Sequence, residues 1–223
     1  RFVQDARKAD FFVVSARTGD GALLARVPAD APGLAIEPDR ITDLTRDQAS
    51  LALQTVGVKA AAIVAAPGDA DVAIRRALPA ILTLIAADIC GAGEWQLLTT
   101  AEYARTRRQF DHPIGYFQAV KHPIVDMMID LDRARSLVYA AACAIDHEPS
   151  QGERLARMAK AKACDVYGFA ASRAVQLHGG YGFTLDCDAH LYFKRAQTTR
   201  PAFGDAMAQR RWLSERLLGP APA

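Results

Sequence analysis

The feature that most constrains this chain is a change of periodicity near Asp69, after which long helical segments follow one another with short connections. Asp69-Ala70-Asp71 places acids in a first turn, where the helix dipole favours them. The helical pattern then runs to about Arg107, with Pro79 or Gly91-Ala92-Gly93 as the expected kink points. A second helix is expected from about Tyr116 to Ile145. Its apolar positions Val120, Ile124, Met127, Leu131, Ala134, Val138 and Ala141 recur three or four residues apart, with Asp126, Asp130 and Arg133 on the polar side. Pro149-Ser150-Gln151-Gly152 reads as a loop. A third helix covers about Glu153 to Leu177, with Leu155, Ala159, Ala163, Val166 and Ala170 on one side and Lys162 at the edge of that stripe, its stem reaching out to water. Shorter helices are expected over about Cys187 to Gln197 and Pro201 to Leu217. Each apolar stripe has to be buried, and helices of this number and spacing do so as an antiparallel four-helix-type bundle.

Residues 1–67 read as β structure. Phe11 to Ala16 is a short apolar strand, Gly19-Asp20-Gly21 a turn, and Ala22 to Val27 the returning strand of a hairpin. Pro28, Pro32 and Gly33 punctuate the next connection, and Leu51 to Val56 and Ala61 to Val64 are candidates for two more strands. Four short strands leave sheet edges to be covered. The expected organisation is therefore α+β and multi-domain. Residues 1–67 form part of a sheet or barrel domain and residues 68–223 a helical bundle. The chain opens at Arg1 without a methionine and reads as a fragment, or as the ordered part of a longer protein, with part of the β domain expected upstream.

Bulk properties narrow the function by exclusion. Of the 223 residues, 51% are hydrophobic and 23% charged, and the net charge of +2 gives no reason to expect a polyanion or a membrane surface as partner. Cys90, Cys143, Cys164 and Cys187 are far apart and form no C-x-x-C pair, so neither a zinc site nor a disulfide framework is indicated, and a reducing cytoplasm fits. The apolar run from Ala77 to Ala87 is too short to span a bilayer, and no signal peptide is visible. No Glu-x-x-His pair occurs, which argues against a di-iron bundle. A purely structural bundle stays open at this point and predicts a colourless protein.

Two segments carry the chemistry. Gln176-Leu177-His178-Gly179-Gly180-Tyr181-Gly182-Phe183 puts three glycines within four residues directly after a helix. Taken alone, it reads as a helix C-cap and a tight turn that can bring bare backbone against a ligand. The second segment, Arg107-Arg108-Gln109-Phe110-Asp111-His112-Pro113-Ile114-Gly115-Tyr116-Phe117-Gln118, couples a basic pair to an aromatic, a Pro-x-Gly turn and two glutamines.

In that order and at that separation, the two segments resemble the C-terminal part of an acyl-CoA dehydrogenase. That family carries an R-x-x-F-G-x-P-I-G-x-F-Q element and a Q-x-x-G-G-x-G-F element separated by two long helices. The resemblance runs from about Arg1 to Leu218. It implies FAD as cofactor and removal of two hydrogens from an acyl-CoA thioester, in fatty-acid or steroid side-chain β-oxidation. A carboxylate takes the α-proton, and an electron-transfer flavoprotein is the usual acceptor. It also implies a dimer or tetramer, because the matched residues serve a neighbouring subunit's flavin. Arg107 matches the arginine that pairs with the diphosphate, a task suited to a bidentate guanidinium. Gln109 and Phe110 match positions beside the same cofactor, and Gln118 a residue near the adenine. Gln176 and Gly180, with Gly179, match the element that holds the adenosine end. Asp111 replaces the usual glycine, so that turn is expected to be stiffer. His178 is expected to pack, and His112 and His122 to lie in a turn and on a helix surface.

The base departs from the family pattern. The place where one family group carries its glutamate, in a Y-E-G-T phrase, falls at Phe203, followed by Gly204 and Asp205. The place used by a second group, on the first long helix, falls at Ile81. Glu94 is more than three turns further along that helix. Asp205 is the only carboxylate close to the first place, although a polar cap or a cofactor contact suits it better. Two readings follow. In one, this chain completes the flavin site of a hetero-oligomer whose partner brings the glutamate. In the other, it is a self-sufficient homo-oligomer with a displaced base at Asp205, or an acyl-CoA oxidase.

Overall fold

The computed structural model describes residues 1–219. The chain separates into two compact units, Arg1–Leu78 and the residues from Pro79 onward. Helix α1, Asp69–Thr106, begins in the first and supplies the rest of its length to the second.

The first unit holds two small antiparallel sheets. Strands β2 (Phe11–Thr18) and β3 (Gly21–Pro28) form the expected hairpin, paired from Phe11↔Pro28 to Thr18↔Gly21 around the two-residue turn Gly19-Asp20. The sheet order is β2-β3-β6, with β6 at Ile63–Ala65. A second sheet, ordered β1-β5-β4, combines Val3–Gln4, Gln48–Leu53 and Leu34–Pro38. Strands β1 and β4 are absent from the sequence reading. β4 begins right after Gly33, where Pro32 and Gly33 look like punctuation alone. Gly33 sits at φ +88°, and a Cβ there would lie 2.1 Å from the Gln54 carbonyl oxygen, so the residue serves the β4–β5 pairing as well as the turn. β5 ends at Leu53 rather than Val56, and Thr55 takes a positive φ of 52°. Phe12, Ala6 and Ala49 form the buried centre of the unit, with Val14, Leu34, Ile36 and Leu51 packed against it.

The second unit is helical. Helix α2 is Gln118–His147, α3 Pro149–His178, α4 Ala189–Thr199 and α5 Ala206–Leu218. The expected stripe of α2 faces inward at Met127, Leu131, Ala134 and Ala141. α3 is the central element and packs against α2, α4 and α5. Ala156, Ala159, Ala163, Ala170, Ala171 and Ala174 along it are buried. These small side chains let neighbouring helices approach closely.

One expectation fails in this unit, for an identifiable reason. Pro149 to Gly152 is not a loop but the first turn of α3, and Glu148 alone separates α2 from α3. Proline is favoured at the first helical position because its missing N–H would find no partner there in any case. Gly152 is buried with its Cα against Ile145, where a Cβ would meet the Ile145 side chain at 3.3 Å. α1 is continuous through Pro79 and through Gly91-Ala92-Gly93. Gly93 has a packing role, since a Cβ there would lie 3.3 Å from Leu131 Cδ1 of α2. Among the described residues no helix is long and apolar enough to cross a membrane.

Gly33→Ala combines a backbone conformation unfavourable to alanine with a collision against Gln54. It is expected to destabilise the first unit by about 1–3 kcal/mol. Urea unfolding followed by a β-structure signal, compared with the unsubstituted chain, measures this.

Candidate functional site

The two sequence segments meet on the second unit. Arg107 follows the last turn of α1, and its backbone N–H still donates to Tyr103 O at 2.9 Å. The chain then forms a minute hairpin of β7 (Arg108–Gln109) and β8 (His112–Pro113), with Gln109 paired to His112. Its two central residues, Phe110 and Asp111, both take positive φ, 52° and 58°, as type I′ hairpin turns require. Neither is glycine, so the turn is strained by about 1–2 kcal/mol per residue. Arg108 Nη2 donates to Asp111 O at 2.5 Å and braces it. The turn also holds Phe110 84% exposed. A short 3-10 turn, Ile114–Tyr116, leads into α2. Gly115 lies against the end of α1, where a Cβ would come within 3.0 Å of Ala104 O.

The glycine element forms the end of α3 and a 3-10 turn over Gly179–Phe183. Gly179 has φ 62° and ψ −143°, a conformation nearly confined to glycine, and its N–H donates to Gln176 O. Its three glycines have different reasons to be glycine. A Cβ on Gly182 would sit 2.6 Å from Val175 O, so the fold itself requires Gly182. A Cβ on Gly180 would meet nothing within 4 Å, and the chain's own packing gives no reason for glycine there. His178 packs, as expected. It is buried and stacks on Tyr103 with centroids 4.5 Å apart. Its Nδ1 lies 2.7 Å from Ala174 O; the carbonyl can only accept, so Nδ1 carries the proton. His112 is exposed and stacks on Tyr116, and His122 is exposed on α2.

Two adjoining depressions result. One, of about 580 Å³, is lined by Arg107, Gln109, Gln176, Gly179 and Gly180, together with Tyr103 and His178. The other, of about 410 Å³, is lined by Gln109, Phe110, Phe117, Arg173 and Gln176 with apolar neighbours. Gln109, Ile114, Gln176 and Leu177 border both. Gln118, the exposed first residue of α2, lines neither. Tyr103 and Arg173 are absent from the sequence reading. Both are recoverable from helical spacing, since they lie one turn before Arg107 and Gln176 respectively. Among the described residues no side chain pairs with the Arg107 guanidinium, and the Gln176 amide has no protein partner. An unpaired cation, a free amide and an uncovered glycine backbone beside an aromatic slot suit an anionic nucleotide.

The positions expected for a base lie elsewhere. Ile81 is half-buried on α1. Phe203 is exposed, with φ 55°, and Gly204 follows at φ 92°. Asp205 is the N-cap of α5, its Oδ1 accepting from Ala208 N at 2.8 Å. Glu94 pairs with Arg135 at 2.6 Å. Behind Phe203 the chain is held from the interior. Gln209 Nε2 donates to Phe203 O at 2.8 Å, and Arg157, stacked on Trp212 at 4.1 Å, donates to Gln209 Oε1. The fully buried Lys160 donates to Arg200 O at 2.9 Å, a contact the sequence reading misses because a lysine on a helix is ordinarily solvated.

Comparison with known proteins agrees with this architecture. Residues 70–218 match the family model described as acyl-CoA dehydrogenase, C-terminal domain. The chain is 42% identical over 130 residues to the acyl-CoA dehydrogenase IpdE2 of Mycobacterium tuberculosis, covering 58% of this chain and 36% of that protein. It is 35% identical over 217 residues to the acyl-CoA dehydrogenase FadE27 of the same organism, covering 94% of this chain and 57% of that one. The crystal structure of the ChsE4-ChsE5 complex from Mycobacterium tuberculosis superposes with a TM-score of 0.85 at 36% identity, over 98% of this chain and 58% of that chain. This chain thus spans only part of the length of each. A helical unit with α3 at its centre, two segments converging on one depression, and a family match over two thirds of the chain lead to one conclusion: this chain belongs to the acyl-CoA dehydrogenase family.

Proposed function

We propose that this chain works in the FAD-dependent α,β-dehydrogenation of an acyl-CoA thioester. In this role it completes the flavin site of a hetero-oligomer, and a partner subunit provides the carboxylate that takes the α-proton. The observation that carries the reading is a contrast. Arg107, Gln109, Gln176 and Gly180 line one depression, in which the Arg107 guanidinium and the Gln176 amide are uncommitted among the described residues, whereas both base positions are apolar, at Phe203 and Ile81. Arg107 would hold the diphosphate, and Gln176 with Gly179 and Gly180 the adenosine end. Phe110 and Gln109 would flank the same ligand, with Gln118 near the adenine. When bound, FAD supplies the acceptor for the hydride lost from the β-carbon. The residues of this chain bind and orient; none of them is assigned the proton transfer. An electron-transfer flavoprotein is the proposed electron acceptor. The relation to ChsE4-ChsE5, solved as a complex of two differently named chains, supports pairing with an unlike subunit.

The second reading, a base at Asp205, is weakened by the cap that its carboxylate makes to Ala208 N. Asparagine caps a helix about as well as aspartate, so Asp205→Asn tests the base without removing the cap. In the native complex this variant is expected to keep turnover within about twofold. A loss of 10²-fold or more, the usual cost of deleting a general base, would favour a self-sufficient enzyme. Arg107→Ala removes a charge-assisted contact of about 1.5–3 kcal/mol and is expected to lower FAD affinity roughly 10- to 100-fold. The flavin-to-protein ratio of the purified complex reads this out, and an unchanged ratio counts against the site.

The glycines separate ligand from fold. Gly180→Ala is expected to leave the melting temperature within about 1 °C while lowering flavin content, because its added methyl meets no atom of this chain. Gly182→Ala is expected to destabilise by about 1–3 kcal/mol through its collision with Val175 O. Flavin absorbance and thermal unfolding of the two variants check both outcomes.

A further inference from the structure

Lys160 and Cys164 lie one turn apart on α3, and both are fully enclosed, with exposures of 0% and 1%. Lys160 Nζ donates to Arg200 O at 2.9 Å, lies 3.5 Å from Gly204 O, and approaches the Cys164 sulfur to 3.0 Å. Cys164 Sγ is itself 3.4 Å from Arg200 O. Among the described residues no carboxylate lies within ion-pair distance of this nitrogen; the acids near α3 pair with Arg157, Lys162 and Arg210 instead. A nitrogen nucleophile and a thiol are thus held in contact on a single helix face. This arrangement removes most of the entropic cost of joining them.

We propose that Lys160 and Cys164 form a covalent sulfur–nitrogen cross-link when the protein meets a peroxide. In the first step the sulfur attacks hydrogen peroxide and the O–O bond breaks. Cys164 becomes a sulfenic acid and one water leaves, the sulfur losing two electrons and the peroxide gaining them. In the second step the Lys160 ammonium gives up a proton and its lone pair attacks the sulfur. The S–O bond breaks and the hydroxyl leaves as a second water. Thiol, ammonium and peroxide are converted to a sulfenamide, two waters and one proton. Sulfenic acids condense with a neighbouring nitrogen in this way. Peroxide is close to water in size and enters through local openings of the fold that exclude bulkier reagents.

The cross-link has a structural consequence. The bridged nitrogen keeps one N–H, so Arg200 O and Gly204 O cannot both retain their donor. The segment bearing Phe203 then loses one of its two ties to Lys160 and leans more heavily on Gln209. Neither the chemistry nor its consequence requires a bound flavin, so the proposal stands or falls apart from the function above.

The test is a peptide map of the native protein before and after hydrogen peroxide, alkylated on unfolding and digested with trypsin. Exposed Cys143 serves as the dose reference, and Cys90 as a thiol that burial pushes up to about 11 and keeps protonated. The expected result is loss of cleavage after Lys160 and a species joining it to the Cys164 peptide, lighter by two hydrogens. This species reverts with dithiothreitol and is missing in Cys164→Ser. Amide exchange across residues 200–205 is expected to speed several-fold in the cross-linked form. Two outcomes would overturn the proposal: Cys164 recovered as sulfinic or sulfonic acid with normal cleavage at Lys160, or Cys164 still alkylated at doses that oxidise Cys143. Because the unsubstituted protein alone decides between these outcomes, a folding defect in Cys164→Ser leaves the test intact.

Discussion

The helical unit depends on how closely other helices can approach α3. Ala156, Ala159, Ala163, Ala170, Ala171 and Ala174 are all buried there, so α2, α4 and α5 pack near its backbone rather than against long side chains. Each alanine buries little area, and the stabilisation comes from the dense packing of many small contacts. The same closeness makes the unit intolerant of added volume. Gly182, seated against the end of α3, shows the limit, since a Cβ there would lie 2.6 Å from the Val175 carbonyl oxygen.

That packing sets the geometry of everything at the C-terminal end of α3. Tyr103 of α1 stacks on His178, and Gly115 lets the chain after the small hairpin lie against Ala104. Together these contacts bring Arg107 and Gln176, 69 positions apart in sequence, to one depression. The strained Phe110-Asp111 turn is a local cost borne by this arrangement, and it presents an aromatic ring to solvent rather than to the chain's own core. An exposed aromatic held at positive φ is better explained by a ligand or partner than by stability.

The segment from Arg200 to Asp205 follows a different logic. Its backbone carbonyls are held by buried donors, Lys160 and Gln209, while Phe203 faces solvent and Asp205 caps the next helix. The polar groups here are committed to the fold, whereas Arg107 and Gln176 are not. This difference between committed and uncommitted polar groups is the physical basis for proposing a binding site at one end of the unit and no proton transfer at the other.

Much of this was legible in the sequence, because local rules govern it. The 3.6-residue recurrence located the three long helices. The glycine turn located the β2–β3 hairpin. The paired motifs singled out Arg107, Gln109, Gln176, Gly179 and Gly180, which line one depression, and Phe203 and Ile81 already lacked a titratable group. Other features were set by contacts between distant residues. Pro149 to Gly152 became helix because Gly152 fits against Ile145. β4 became a strand because β5 pairs with it. The distinction between Gly180, open to a ligand, and Gly182, required by Val175 O, exists only in three dimensions. Lys160 is the sharpest instance. In sequence it is one more lysine on a helix beside Lys162, yet Lys162 reaches Asp130 and stays partly exposed while Lys160 is buried against two carbonyls and a thiol. Periodicity places a residue on a helix face to within a turn, but whether that face meets water or a returning loop is decided by packing.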